Sequence, residues 1–405
     1  MVSRPLRVLL GHNYYCSSAP SGEDAVFENE RRLLEDAGLV VIAFVRRNDD
    51  LQQRDLSSRL RIGLETTWSR SAYAELSEII RSERPDVAHF HNTFPQISPS
   101  AYAACQRQRV PVIQTLHNYR LICANALLRR DGHACEDCVR GGTLLSLLPG
   151  LRHRCYRGSL LATAALTLMV AGNRVLGSYS DNVDRYIALT EFAAARFKAG
   201  GLPADRFTVK PNFLPDPPQV GAGQGGYAVY VGRLSAEKGV LTMLRAWRSM
   251  GRVPLKLLGN GPLAEEMHRV ADDEGLNVEF LGFRTREDVK RVIADAAVQI
   301  VPSEWYEGCP MVVLEAFACG TPVVASQIGS LDEIVQEGVT GVKFPPGDAA
   351  GLAAAVGRLL ADGNRLVSMR RAVREEFDRS YTAEHNIEQL LAIYRGVLAE
   401  RRSRI

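Results

Sequence analysis

Short apolar runs recur along the chain, each closing on small or polar residues and leading into a stretch of helical spacing, a pattern that predicts α/β architecture. Residues 6–10 read as a buried first strand, residues 25–37 as a helix ended by Gly38, and residues 40–45 as a second strand. Residues 85–92 and 111–118 are further strands that each end in histidine and asparagine, so His89, His91 and His117 gather at strand ends. A strand opening at Val183 ends at Thr190 and Glu191. The proline-rich KPNFLPDPP and a flexible GAGQGG at residues 221–226 then interrupt the pattern, which marks a domain boundary.

Beyond that boundary the pattern restarts. Residues 227–231 form a strand, residues 232–235 its exit loop, and Lys238 with Gly239 begins a helix through Trp247. LKLLGNGPL closes on Gly259, Gly261 and Pro262, and VEFLGF closes on Gly282. Three successive strands ending in glycine mark a nucleotide-binding half-domain better than one does. Arg233 and Lys238 on one strand exit suit two neighbouring phosphates.

The stretch VPSEWYEGCPMVVLEAFACGTPVVAS, residues 301–326, reads as strand, loop, helix, strand. Pro310 fits the first helical position, and Gly320 with Pro322 supplies the stop. A helix starting there turns free N–H groups and a positive dipole end toward the loop, a seat for phosphate. Glu307 and Glu315 stand eight positions apart, one before this helix and one inside it. Carboxylates so placed can accept hydrogen bonds from sugar hydroxyls around a diphosphate; a buried helix with two incidental glutamates is the alternative the pattern leaves open.

The length of 405 residues exceeds one core's usual range and predicts two domains. Hydrophobic content of 46%, charge of 23% and a net charge of +3 describe an ordinary folded chain with no case for nucleic acid. Arginines cluster at Arg129, Arg130, Arg140, Arg152, Arg154 and Arg157, and again at Arg401, Arg402 and Arg404. The first of these groups precedes the longest apolar run, residues 160–170, which is too short to span a membrane. Basic residues ahead of an apolar helix suit interfacial binding, and a buried helix beside a solvated basic loop accounts for them equally.

Met1 leads straight into a strand-like segment with no apolar leader, which sets the expectation of a cytoplasmic protein with reduced thiols. Of the eight cysteines, Cys123, Cys135, Cys138 and Cys155 include one C-x2-C pair and lie in an insertion at about residues 120–158. Four thiolates suit a structural zinc ion, His133 or His153 can replace one sulfur, and reduced buried cysteines are the alternative. His89, His91 and His117 have no metal-ligand spacing. A buried histidine is more often a satisfied core residue, and the strand-end position raises the ligand reading, for His117 most and His89 least.

Taken together, YVGRLSAEKGV, LLGNGP, FLGF, PSEWYEGCPMVVLEAFACGTPVVAS and the TG…PPGD ending resemble the retaining nucleotide-sugar glycosyltransferases of family 4, with the GT-B architecture. HNYY, SGEDAVFENE, TLHNYRLIC and the cysteine segment resemble a bacterial surface-polysaccharide branch of that family. The resemblance implies two Rossmann-like, doubly wound domains facing a cleft. The expected division is an acceptor-side domain at 1–215, a linker at 216–226, a nucleotide-sugar domain at 227–380, and a C-terminal helix at 381–405 packing back on the first domain.

By the same resemblance Glu307 and Glu315 match the family's E-x7-E pair, with Glu307 facing the transferred sugar and Glu315 gripping the ribose. Gly308, Cys309, Pro310 and Met311 hold sugar hydroxyls and phosphate through their backbone, and Gly261 lies in the donor site. Arg233 and Lys238 match the basic pair on the diphosphate, His117 the histidine at the reacting centre, and Gly22 with Glu23 the first-domain glycine loop. The chain departs from the common form at Ser21-Gly22, where a double glycine is usual, and at Cys309-Pro310-Met311, where a Phe-Gly-Leu-like run is common. The implied activity is transfer of a hexosyl or related sugar from a nucleotide diphosphate sugar to a lipid-linked or polysaccharide acceptor at the inner face of a membrane, without a catalytic metal. A nucleotide-sugar 2-epimerase of the same architecture and an inactive nucleotide-sugar-binding scaffold are the competing readings.

Overall fold

The computed structural model describes residues 4–17, 21–51 and 65–403. Arg404 and residues 18–20 of the first loop lie outside the described residues. Contacts divide the chain into two units: Met1–Leu128, Cys135–Pro211 and Asn386–Ile405 form the first, Arg129–Ala134 and Asn212–His385 the second.

Unit 1 holds strands β1 (Arg7–Tyr14), β2 (Val40–Arg47), β3 (Val87–Asn92) and β4 (Val112–Leu116). The short antiparallel strands β5 (Arg129–Arg130) and β6 (His133–Ala134) of unit 2 follow in sequence, and then β7 (Arg185–Ala188) and β8 (Phe207–Val209) return to unit 1. The unit 1 sheet is parallel in the order β2-β1-β3-β4-β7-β8. Every residue of β3 and β4 is buried, as strands covered on both faces require, including the polar His89, His91, Asn92, Gln114 and Thr115. Strand order reverses between β1 and β3, the place where open α/β sheets bind ligands.

Unit 2 repeats the plan with β9 (Ala228–Val231), β10 (Leu255–Leu258), β11 (Val278–Gly282), β12 (Val298–Val301), β13 (Val323–Ser326) and β14 (Gly341–Phe344). Their order is β11-β10-β9-β12-β13-β14, so the reversal falls between β9 and β12. Trp247, Met243 and Leu244 of helix Val240–Met250 pack with Leu352, Val356 and Leu359 of helix Ala349–Leu360 in its core.

Several expectations need correction. The first helix is Gly22–Asp36, starting three residues before Ala25, because Ser21 and Asp24 form a capping box: the Ser21 side chain accepts from the Glu23 N–H, and Asp24 Oδ2 accepts from the Ser21 N–H. Pro310 caps its helix rather than opening it, and the helix runs Met311–Ala318. Lys238 ends a short 3-10 turn, and the helix that follows begins at Val240. The GAGQGG segment is not a free linker: the N–H groups of Gly221, Gly223 and Gly225 donate to the carbonyls of Cys319, Ala294 and Asp295. A Cβ on Gly221 would lie 2.0 Å from the Ala294 carbonyl oxygen, so glycine serves close approach here.

The C-terminal helix, Ala383–Arg402, places Leu390, Tyr394 and Val397 in the unit 1 core with Val8, Leu10, Phe27, Val87 and Ile113. The apolar run 160–170 sits in helix Leu160–Val175, capped by Ser159, and no helix among the described residues is long and apolar enough to cross a membrane.

Candidate active site

In unit 2 the reversal brings two strand exits together. After β9 the chain passes Gly232, Arg233 and the turn Ala236–Lys238 to Gly239, whose φ is +68°. A Cβ there would stand 1.8 Å from the Pro302 carbonyl oxygen, just beyond β12, so only glycine lets the exits lie this close. The result is a direct ion pair: Lys238 Nζ donates to Glu307 Oε1 at 2.7 Å, and the Ser303 hydroxyl donates to the same oxygen at 2.6 Å. Glu307 is buried, and Lys238 also lies over the Trp305 ring, 5.4 Å from its centroid. Arg233 shares the exit loop but is exposed, and among the described residues its guanidinium holds no partner.

Glu315 has different neighbours. Burial pushes its carboxyl up to about 7, against the pull of Arg286 and Lys290 from helix Arg286–Asp295. The E-x7-E pair therefore resolves into one carboxylate held by a lysine and a serine and one largely desolvated. Between them the 308–310 loop is tied down by Asn212, whose Nδ2 donates to the Cys309 carbonyl at 2.9 Å.

The glycine-closed exits of β10 and β11 line a cleft of about 650 Å³ that includes Gly259, Gly261, Glu265, His268, Phe280 and Gly282. A Cβ on Gly259 would fall 2.0 Å from the Gly232 carbonyl oxygen, and one on Gly261 2.3 Å from that of Leu234. His268 stacks on Phe280 with ring centroids 3.8 Å apart. Neither ring stood out in the sequence; an aromatic residue in a strand of this kind reads only as core.

In unit 1 the strand-end histidines come together as expected, with partners the sequence did not reveal. His117 Nε2 lies 3.0 Å from His91 Nδ1, and His91 Nε2 lies 2.9 Å from Glu30 Oε1. Lys210 Nζ donates to Glu30 Oε2 and to Asn386 Oδ1, both at 3.1 Å. His89 meets the Tyr394 hydroxyl and Thr115 Oγ1, both at 2.8 Å. Glu30, His89 and His91 have ligand atoms within 4.8 Å of one another, but the Lys210 ammonium already neutralises that carboxylate. Burial raises Glu30, and the charges of Lys210, His91 and His89 outweigh it and hold the group well below the usual carboxylate range. Burial lowers His91 to about 4 and His117 well below the ordinary histidine value.

Gly22 and Glu23 open the first helix. Asn118 Nδ2 donates to Glu23 Oε1 at 2.8 Å, and burial pushes the Glu23 carboxyl up to about 7. A Cβ on Gly22 would meet nothing within 4 Å, so this glycine is not sterically required in the observed conformation.

Of the four insertion cysteines, Cys138 is buried, its thiol pushed up to about 12 chiefly by desolvation, with Cys123, Cys155 and Cys135 all acting on it electrostatically. Cys123 donates to Asn125 Oδ1. Among the described residues the sole group of three ligand atoms within 4.8 Å is the Glu30 set, so the thiols do not converge on one point, and a tetrahedral site requires them to turn inward.

Residues 21–212 match the family "Glycosyl transferase 4-like domain", and residues 225–362 match "Glycosyl transferases group 1". A Mycobacterium tuberculosis protein named glycogen synthase is 29% identical over 332 residues, covering 78% of this chain and 71% of its own. Among solved structures, Anabaena HepE in complex with UDP aligns over 96% of this chain and 100% of its own, with TM-score 0.67 and 17% identity. The lipopolysaccharide outer core galactosyltransferase WaaB covers the same shares with TM-score 0.65 and 16% identity. The motif-bearing strand exits, the two parallel sheets and these matches agree, and the chain belongs to the GT4-type glycosyltransferases of GT-B fold.

Proposed function

We propose that the chain is a retaining transferase that moves a sugar from a nucleotide diphosphate sugar to a lipid-linked or polysaccharide acceptor. The observation that carries this reading is the Lys238–Glu307 contact at the reversal of the unit 2 sheet, next to three strand exits closed by glycine. Breaking a glycosyl phosphate bond builds negative charge on the departing diphosphate, and preorganised cations and helix dipoles stabilise such charge. Lys238, Arg233 and the first turn of helix Met311–Ala318 supply them. Glu307 faces the transferred sugar, Glu315 the ribose, and the backbone of Gly308, Cys309, Pro310 and Met311 the sugar hydroxyls. His117 contacts the donor sugar, and Gly22 with Glu23 the diphosphate. The acceptor hydroxyl attacks from the leaving group's side, and its proton departs with the diphosphate. No catalytic metal is needed in this scheme.

Because the HepE structure holds UDP, uridine diphosphate sugars are the first donors to test. Purified protein is incubated with labelled sugar nucleotides, with and without membrane lipid extract. Acceptor-dependent transfer that keeps the anomeric configuration is the expected result; conversion to an epimer without acceptor overturns it in favour of the epimerase.

A membrane-bound acceptor is supported by the surface of helix Leu160–Val175. Leu161, Leu168 and Val175, spaced by seven on one face, are 84%, 67% and 71% exposed, and Leu145 is exposed as well. Arg152, Arg154 and Arg157 precede them, are exposed, and form no ion pair among the described residues. That combination fits an anionic bilayer face. A structural zinc ion on Cys123, Cys135, Cys138 and Cys155 is a separate proposal, supported by the clustering of four thiols in one insertion.

A further inference from the structure

The buried polar chain behind His117 has a definite hydrogen-bond polarity. We propose that Glu30 and His91 are positioning residues that fix the tautomer of His117: Glu30 accepts the His91 Nε2 proton, His91 Nδ1 accepts the His117 Nε2 proton, and His117 is left with a bare, hydrogen-bond-accepting Nδ1. The inference rests on the reading of His117 as a donor-sugar contact.

The polarity follows from charge. Glu30 Oε2 receives the Lys210 ammonium at 3.1 Å, both side chains are nearly sealed from solvent, and an ionised carboxylate can only accept. The group 2.9 Å from its Oε1, His91 Nε2, must then carry the proton. A neutral His91 has its lone pair on Nδ1, 3.0 Å from His117 Nε2, and two bare nitrogens cannot face each other at that distance. The opposite order would set an unprotonated His91 Nε2 against the carboxylate, lone pair to lone pair. The charged and titratable groups around these rings are Glu30, Lys210 and His89, together with His12, whose ring centre is 6.3 Å from that of His91 and whose Nε2 binds Asp24. The two rings stack with centroids 5.1 Å apart, which limits rotation of His117. Among the described residues nothing hydrogen-bonds His117 Nδ1, and the residue is only partly buried, so the acceptor is available to a sugar hydroxyl. Asn386 and Tyr394 of the C-terminal helix hold the far end of the network through Lys210 and His89.

Long-range 1H–15N correlation spectra of the 15N-labelled ligand-free protein test this directly, with the His117 signal assigned by its loss in His117→Gln. The expected spectrum shows His117 protonated on Nε2 and bare on Nδ1 at neutral pH; a ring protonated on Nδ1 overturns the proposal. In activity, His91→Leu is expected to lower kcat roughly 10- to 100-fold, as loss of an orienting partner does, with a smaller change in donor KM. His91→Gln, whose amide can donate to Glu30 and accept from His117, restores most of it. Equal loss in both variants overturns the proposal. If His91→Leu does not fold, the wild-type spectrum still decides. An Nε2-protonated His117 in a protein whose turnover is unchanged by His117→Gln means that the tautomer is fixed as stated and the sugar-contact reading is what fails.

Discussion

Lys238 Nζ and Glu307 Oε1 are 2.7 Å apart, two residues from separate strand exits that meet at the reversal of the unit 2 sheet. Lys238→Met is expected to reduce kcat by roughly 10²- to 10³-fold, the scale of losing one preorganised stabiliser of transition-state charge. Glu307→Gln keeps an acceptor for Lys238 and Ser303, so it should lower turnover while leaving the thermal midpoint nearly unchanged. Steady-state kinetics with thermal melts of both variants check this, and unchanged turnover in both removes these residues from the active site.

Buried groups pull stability in opposite directions across the weakly acidic range. The carboxyls of Glu315 and Glu23 are pushed from an ordinary 4.5 to about 7 by burial, so the folded state holds protons that the unfolded chain has already released. Their neutral forms impose no penalty below about pH 4.5, and the penalty grows until about pH 7 and then levels. His91 and His117, held below the ordinary 6.5, act the other way and favour the folded state as pH rises toward 6.5, so urea titrations from pH 5 to 8 should show Glu315→Gln and Glu23→Gln each gaining stability relative to the parent as pH rises.

Two glycines of the proposed donor site should respond in opposite ways to alanine. Gly259→Ala forces a Cβ to 2.0 Å from the Gly232 carbonyl oxygen at φ +131° and is expected to cost about 2 kcal/mol or more. Gly22→Ala meets empty space at the first position of a helix and should fall within about 0.5 kcal/mol of the parent or above it. Denaturant melts compare the two, and equal losses contradict the close-approach argument.

For the cysteine insertion, freshly purified protein should contain one zinc ion per chain, lost with Cys135→Ser or Cys138→Ser. Zinc-free protein with all four thiols reduced rejects the site and leaves desolvated Cys138 as an inert core residue.

On membranes, flotation with anionic vesicles should recover the protein in the lipid fraction at low salt. Leu161→Ser combined with Leu168→Ser is expected to reduce that fraction about tenfold or more, since each buried leucine contributes on the order of 1.5–3 kcal/mol. Recovery wholly in the soluble fraction rejects the acceptor-side membrane reading.

The strands and their glycine exits were legible because parallel strands covered on both faces are rich in apolar residues and leave through tight turns. Helix starts were less so: Ser21 and Asp24, three positions apart, are a short signal easily taken for loop. Gly221, Gly223 and Gly225 looked like a linker because glycine serves mobility and close approach alike, and composition does not separate the two. Glu30 and Lys210, 180 positions apart, form no local pattern, so the partners of His91 and His117 emerged only once the sheet order and the C-terminal helix were known.

The C-terminal helix also sets an order of folding. Leu390, Tyr394 and Val397 belong to the core of unit 1, whereas unit 2 is almost entirely continuous from Asn212 to His385. Unit 2 can therefore close on a nearly continuous stretch, while the unit 1 sheet keeps part of its apolar surface uncovered until helix Ala383–Arg402 docks.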